Sequence, residues 1–343
     1  MTQNQSNLLW TQPEWIAQAH AWIQQSLADA GITLSGPIEQ VHARIWSTVM
    51  RMSTDAGTLY FKACDPTTEP RLTLYLRGVQ PDNIPDLIAV DLERGWMLMR
   101  DAGPMLRTYL KTPTDLRMLE PALTLFSNLQ IAVSDGPERF IPMGALDRRL
   151  DRLPTLFETL LSEPDVLRIG EEDGLTPAQY EQLRALLPRY TEMCQQLQTY
   201  KVPQTLHHDD FHDGNIFVSG EPGQYRFVFS DWGECAVTHP FVSLMLCLRI
   251  VGWRAGFPDE ATEAPDRMPP ELNHLRDIYL QPWQCFESPE RLVEVFNLAW
   301  RVGMVSRAYT WREFVITLPP AQRADFTYFV PAWLGEFLLA MKE

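Results

Sequence analysis

Between Leu206 and Glu234 the chain reads LHHDDFHDGNIFVSGEPGQYRFVFSDWGE, placing histidines, acids and an asparagine at spacings that chemistry can use. His208, Asp210 and Asn215 fit H-x-D-x-x-x-x-N, a pattern in which the Asp orients a hydroxyl and the Asn holds a metal ion. Asp231 follows after two short runs, 215–218 and 225–229, that are rich in Val, Ile, Phe and Tyr. The residues between them, Ser219-Gly220-Glu221-Pro222-Gly223, are turn formers, so a β-hairpin is expected. A hairpin would carry Asp231 back towards Asn215, and two ligands 16 positions apart would then share one cation. The stretch reads as a magnesium and phosphate site. Its histidines and acids also leave open a metal-dependent phosphohydrolase using His207, His208, Asp209 and Asp210.

The elements that must position these residues come from the rest of the chain. Pro13 to Ala30 carries Trp15, Ile16, Ala19, Trp22, Ile23 and Leu27 at helical spacing, with Thr11 and Glu14 as a capping box and Gly31 as a stop. After Gly36-Pro37 the texture becomes β-like: Val41–Trp46, Thr48–Met52, Thr58–Ala63, Leu87–Leu92 and Trp96–Arg100, with turns at Asp55-Ala56-Gly57 and Glu93-Arg94-Gly95. Within Thr58–Ala63, alternation puts Leu59 and Phe61 on one face and Tyr60 and Lys62 on the other, where a lysine can face a phosphate. Glu69 opens the one short helical candidate among these strands, Glu69–Val79, and no other Glu lies between Lys62 and Glu93. Beyond Gly103-Pro104 helices are expected at Asp115–Val133, Leu146–Leu161, Pro177–Tyr200, Pro240–Ala255 and Pro289–Ile316, with Pro121 and Pro188 dividing or kinking two of them. Gly256 to Pro270, with four prolines, reads as a loop.

Composition narrows the function classes. The 343 residues carry 29 basic and 44 acidic side chains, a net charge of −15, which disfavours nucleic acid or an anionic membrane as partner and suits a cationic small molecule. No apolar run reaches the roughly 18 residues of a membrane span, and the opening MTQNQSN lacks the segments of a signal peptide, so a cytoplasmic location is expected. The five cysteines are widely spaced and form no C-x-x-C pair, so buried free thiols are expected rather than disulfides or zinc.

Taken in order, Lys62, a following Glu, the Gly-Pro boundary, His208-Asp209-Asp210-Phe211-His212-Asp213-Gly214-Asn215 and Asp231-Trp232-Gly233-Glu234 make the chain resemble the aminoglycoside phosphotransferase family, small-molecule kinases of the protein-kinase-like superfamily. The resemblance spans roughly residues 40 to 250. It implies an α+β, two-lobed protein-kinase-like fold. Residues 1–103 would form a nucleotide-binding lobe with a small antiparallel sheet, and 104–343 a mainly helical catalytic lobe carrying the hairpin. Asp210 would orient the acceptor hydroxyl, His208 would brace the loop, and Asn215 and Asp231 would bind magnesium. Lys62, held by Glu69, would neutralise phosphate of ATP or GTP, and the acceptor would be a small molecule such as an aminoglycoside, choline, homoserine or a sugar.

The chain also departs from the family pattern. Ala43-Arg44-Ile45-Trp46-Ser47-Thr48 stands where a protein kinase has glycines, leaving the backbone or the hydroxyls of Ser47 and Thr48 to meet phosphates. Ser243 replaces an aspartate that braces the loop in many relatives, which puts loop support in doubt. Asp209 replaces the usual glycine and reads as a solvated loop acid. These departures leave room for a nucleotide-binding protein of weak activity. The carboxy-terminal aromatics Trp253, Trp283, Trp300, Tyr309, Trp311 and Trp333 could hold an amine by cation–π attraction, but the apolar spacing of Pro289–Ile316 favours the core.

Overall fold

The computed structural model describes residues 8–64, 68–221 and 223–342. The opening MTQNQSN and Pro222 of the expected turn lie outside the described residues. In chain order the elements are α1 (Pro13–Asp29), β1 (Leu34–Ala43), β2 (Ser47–Thr54), β3 (Gly57–Cys64), α2 (Thr68–Val79), β4 (Leu87–Asp91), β5 (Trp96–Arg100) and α3 (Leu119–Ala132). There follow β6 (Leu146–Asp147), α4 (Leu153–Leu161), α5 (Pro164–Leu167), α6 (Pro177–Gln198), β7 (Thr205–His208), β8 (Ile216–Ser219), β9 (Arg226–Phe229) and β10 (Cys235–Thr238). The chain closes with α7 (Val242–Arg254), α8 (Pro270–Leu280), α9 (Pro289–Thr317), α10 (Pro320–Arg323) and α11 (Phe329–Ala340). The class is α+β. Among the described residues no helix is long and apolar enough to cross a membrane.

Contacts divide the chain into two compact units. The first contains residues 1–106, 142–144 and 214–233, the second 107–141, 145–213 and 234–343. The first is built on a five-stranded antiparallel sheet of order β1-β2-β3-β5-β4. Strand alternation sends Leu59, Phe61 and Ala63 of β3 into the core and turns Lys62 to the opposite face. Phe61 is anchored in a cluster of aromatic rings, with centroids 5.7 Å from Trp22 and 5.6 Å from Trp96; Trp15, 5.7 Å from Trp96, extends it. This packing against α1 fixes the register that aims Lys62 away from the core.

The hairpin β8–β9 completes this unit. Ile216 pairs with Phe229 and Ser219 with Arg226, the Val218 N–H donates to the Pro104 carbonyl at 2.9 Å, and the Asn83 amide donates to the Phe227 carbonyl at 2.8 Å. Gly103 is required at the contact with β8: its φ is +95°, and a Cβ there would lie 2.3 Å from the Val218 oxygen.

The second unit is helical around a three-stranded sheet, β6-β10-β7. The expected helix from Leu146 is corrected here. Leu146 and Asp147 pair with β10, and the helix starts only at Leu153, where Pro154 can occupy the first turn without losing a hydrogen bond. Similarly, α1 is capped by Gln12 with Pro13 at the first helical position, while the Thr11 hydroxyl donates to the Leu8 carbonyl, so no capping box forms at Thr11. The strand expected at Val41–Trp46 starts seven residues earlier, at Leu34, and residues 44–46 form the turn into β2. Helix α6 runs through Pro188 as one element, and the expected loop at 256–270 contains two short 3-10 turns before α8. Of the free cysteines, Cys285 is exposed rather than buried. Trp283 and Trp300 are core, whereas Trp253 is 64% exposed.

Candidate functional site

In the first unit, Lys62 Nζ lies 2.8 Å from Glu69 Oε1, 2.7 Å from Glu69 Oε2 and 2.8 Å from Asp231 Oδ1. Glu69 is buried in the first turn of α2, and its Oε2 also accepts from the Cys64 thiol at 2.9 Å. Burial alone would favour the neutral amine, but the carboxylates of Asp231 and Glu69 outweigh it and hold the Lys62 pKa well above its ordinary value. Lys62 is therefore a fixed ammonium. Asp231, half-buried, has φ +66°, one of two positive values among described non-glycine residues. Backbone strain of this kind concentrates where a side chain must be aimed. The hairpin places Asp231 two residues beyond Phe229, the partner of Ile216, and the Ser230 N–H donates to the Asn215 carbonyl at 3.0 Å. An amide oxygen and a carboxylate are hard donors, and magnesium takes one or two protein ligands of this kind, with phosphates and water completing its shell. These residues fit the ion. Ser47 is buried opposite Cys64 with its carbonyl accepting from Arg44 N–H at 2.8 Å, and the Thr48 hydroxyl donates to the His42 carbonyl at 2.7 Å.

In the second unit, β7 delivers His207 and His208 to the loop that carries Asp210. His207 stands opposite Ala236 and His208 opposite Cys235. The Asp210 N–H donates to His208 Nδ1 at 3.2 Å, and the His208 N–H donates to Ser243 Oγ at 3.3 Å, so His208 stiffens the turn from within. Ser243 also lies 2.7 Å from His207 Nδ1 and accepts from the Gln130 amide at 3.3 Å. Residue 243 thus supports the loop through a hydroxyl.

Asp209 is not a solvated acid. It is buried, 2.9 Å from His207 Nε2 and 3.2 Å from Arg148 Nη1, and it accepts from the Thr310 hydroxyl. Burial opposes its charge, yet Arg307, the His207 hydrogen bond and Arg148 prevail and keep its carboxyl below the usual range. Burial also lowers the His207 pKa against the pull of Asp209, so this ring is neutral, accepting from Ser243 and donating to Asp209. Asp210 lies 3.2 Å from Arg307 Nη2 and 3.4 Å from His212 Nε2. Burial opposes its ionisation too, but His212 and Arg307 overcome it and hold Asp210 as a carboxylate.

Sequence reasoning missed Arg148 and Arg307. Arg307 had a signal, since it interrupts Gly303-Met304-Val305-Ser306-Arg307-Ala308, a stretch of α9 that is otherwise small or apolar. A charge in such a run needs a buried partner.

The profile of the phosphotransferase enzyme family matches residues 116–274. Over this segment, just under half of the chain, the protein is similar to that family. The matched segment contains Arg148, Asp209, Asp210, Asn215 and Asp231, while Lys62 and Arg307 lie outside it. No curated protein matches the chain by sequence. Among solved structures, the chain is similar to an ethanolamine kinase of Plasmodium vivax, with 11% identity, TM-score 0.58, and coverage of 98% of this chain and 91% of the other. A choline/ethanolamine kinase family protein of Mesorhizobium loti has 15% identity and TM-score 0.57, with coverage of 96% and 95%. A GDP complex of an aminoglycoside 2'-phosphotransferase IIIa variant has 12% identity and TM-score 0.55, with coverage of 94% and 97%. At these identities the likeness is one of fold. The family match over this segment is to phosphotransferase enzymes, and the fold is shared with small-molecule kinases.

Proposed function

We propose that this protein is a phosphotransferase that moves the γ-phosphate of ATP or GTP to a hydroxyl of a small molecule, with magnesium as cofactor. The observation that carries the reading is the Lys62 ammonium held by Glu69 and Asp231, a cation presented by acids of which one is a metal-type ligand. Phosphoryl transfer spreads negative charge over non-bridging oxygens, so positioning and neutralisation supply most of the catalysis. Lys62 supplies one fixed positive charge. Asn215 and Asp231 would hold magnesium, which neutralises phosphate oxygens when bound. Asp210, kept ionised by His212 and Arg307, orients the acceptor hydroxyl and takes its proton. His208 braces that carboxylate through the backbone.

The hydrolase alternative is disfavoured because Asp209 and His207 are engaged with each other, Arg148 and Ser243. For the acceptor, the printed names of the similar structures include ethanolamine, choline and an aminoglycoside, and the charge of −15 suits a protonated amine. Amino-alcohols and aminosugars are therefore the acceptors to test first. The test is a coupled ADP- or GDP-release screen over such a panel, with and without Mg²⁺ and with Asp210→Ala as control. Acceptor-stimulated, Mg²⁺-dependent release that disappears in the variant is expected. Nucleotide binding that ignores Mg²⁺, together with no stimulated release, overturns the reading.

A further inference from the structure

The charge network behind Asp210 reaches far beyond the loop that carries it. Arg307 is buried on α9, 97 residues downstream, and its Nη2 meets Asp210 Oδ1 at 3.2 Å. Its other terminal nitrogen is held 2.7 Å from Glu234 Oε2 and 3.4 Å from Asp209 Oδ2. A planar guanidinium gripped at one nitrogen cannot swing freely at the other, so its geometry passes to Asp210. Asp209 is itself fixed by His207, the Thr310 hydroxyl and Arg148, and Arg148 Nη1 donates to the Ser306 carbonyl at 2.9 Å. Ser306, Arg307 and Thr310 lie on consecutive turns of one helix, so a single rigid element holds Arg307 together with two of the groups that fix Asp209 and Arg148.

We propose that Arg307 is a positioning residue for Asp210, and that Asp209 and Arg148 form a buried anchor that sets its guanidinium. Arg307 acts through Asp210, its terminal nitrogens being taken up by Glu234, Asp209 and Asp210. It commits Asp210 Oδ1 to α9, which fixes the carboxylate plane and leaves Oδ2, 3.4 Å from His212 Nε2, as the oxygen for the acceptor hydroxyl. Part of the chemical step is thereby specified by α9, outside the segment that matches the family profile.

This rests on the proposed role of Asp210, and the experiment separates the two. Arg307→Met, Arg307→Lys and Asp209→Asn are compared with the wild type by steady-state kinetics and by hydrogen exchange of the amides of residues 207–213. Arg307→Met is expected to lower kcat about 10- to 100-fold, the scale of a small misplacement of a reacting group. Nucleotide KM should stay within about twofold, because binding is untouched. Arg307→Lys should recover part of kcat, and exchange should accelerate in 207–213 while α3 and α6 stay protected. If Arg307→Met does not fold, Asp209→Asn, which keeps the side-chain shape, carries both readouts. Unchanged kcat, or exchange that rises throughout the second unit with no local component, overturns the inference. If the wild type shows no transfer at all, the proposed function fails, and the exchange pattern alone then decides for or against the anchor.

Discussion

Asp210 and Asn215 sit five positions apart in one motif, yet they are held by different means. Asn215 belongs with the hairpin β8–β9, where backbone pairing to a strand ten residues away sets its position and that of Asp231. Asp210 belongs with the helical unit, where side chains 61 to 101 residues from its own loop lock the acids in place. The proposed metal end of the motif is thus held by short-range backbone geometry, and the proposed base end by long-range buried charge. Backbone pairing tolerates many side chains, whereas a buried charge network depends on each member. The two ends should therefore fail differently.

The largest effect expected is from Asp210→Ala, which should lower turnover about 10²- to 10⁴-fold while leaving Mg²⁺-dependent nucleotide binding intact. Parallel calorimetric titration and turnover assays check it, and lost nucleotide binding would erase the contrast between the two ends. Next comes Lys62→Met. Turnover should fall on the order of 10²-fold through lost charge stabilisation. Stability should also drop by about 3–5 kcal/mol in urea unfolding, because Glu69 stays buried without its cation. Gly103→Ala attacks the hairpin through backbone alone. Strain at φ +95° and the clash with the Val218 oxygen should cost about 1–3 kcal/mol and weaken the Mg²⁺ response more than acceptor binding.

The smallest effect per step is a pH dependence. His239 is fully buried, and burial pushes its imidazole down to about 3. A depressed value means that the neutral ring stabilises the fold in full above the ordinary value of 6.5, and that this contribution is lost as pH falls from there towards 3. The slope is about 1.4 kcal/mol per pH unit for one such group, and His207, also lowered by burial, acts in the same direction. Urea unfolding from pH 7 to 4 measures it. His239→Asn should flatten the slope, and an unchanged slope excludes His239 as its source.

The same contrast explains what the sequence disclosed. The hairpin was legible because its signal is local: two apolar runs around a turn. Alternation in β3 placed Lys62 opposite Phe61 for the same reason, and Glu69 stood out as the one Glu in reach. The roles of Asp209 and Ser243 were not legible. A loop acid looks solvated until an arginine from α9 and another beyond β6 are known to cover it, and no local pattern encodes a contact across 98 residues. Strands β6, β7 and β10 escaped notice since two to four residues carry too little periodicity to compete with flanking helix signals.

The first unit has a consequence for synthesis. Its amino-terminal sheet can emerge from the ribosome by residue 106, yet the hairpin that belongs to it appears more than 100 residues later. Until then Lys62 has Glu69 but not Asp231, and Asn83 lacks the carbonyl of Phe227. At roughly 5–20 residues per second this incomplete state lasts for several seconds or longer. The nascent sheet must therefore survive alone on its tryptophan-rich packing against α1, which gives that aromatic cluster a task during translation that the finished protein no longer displays.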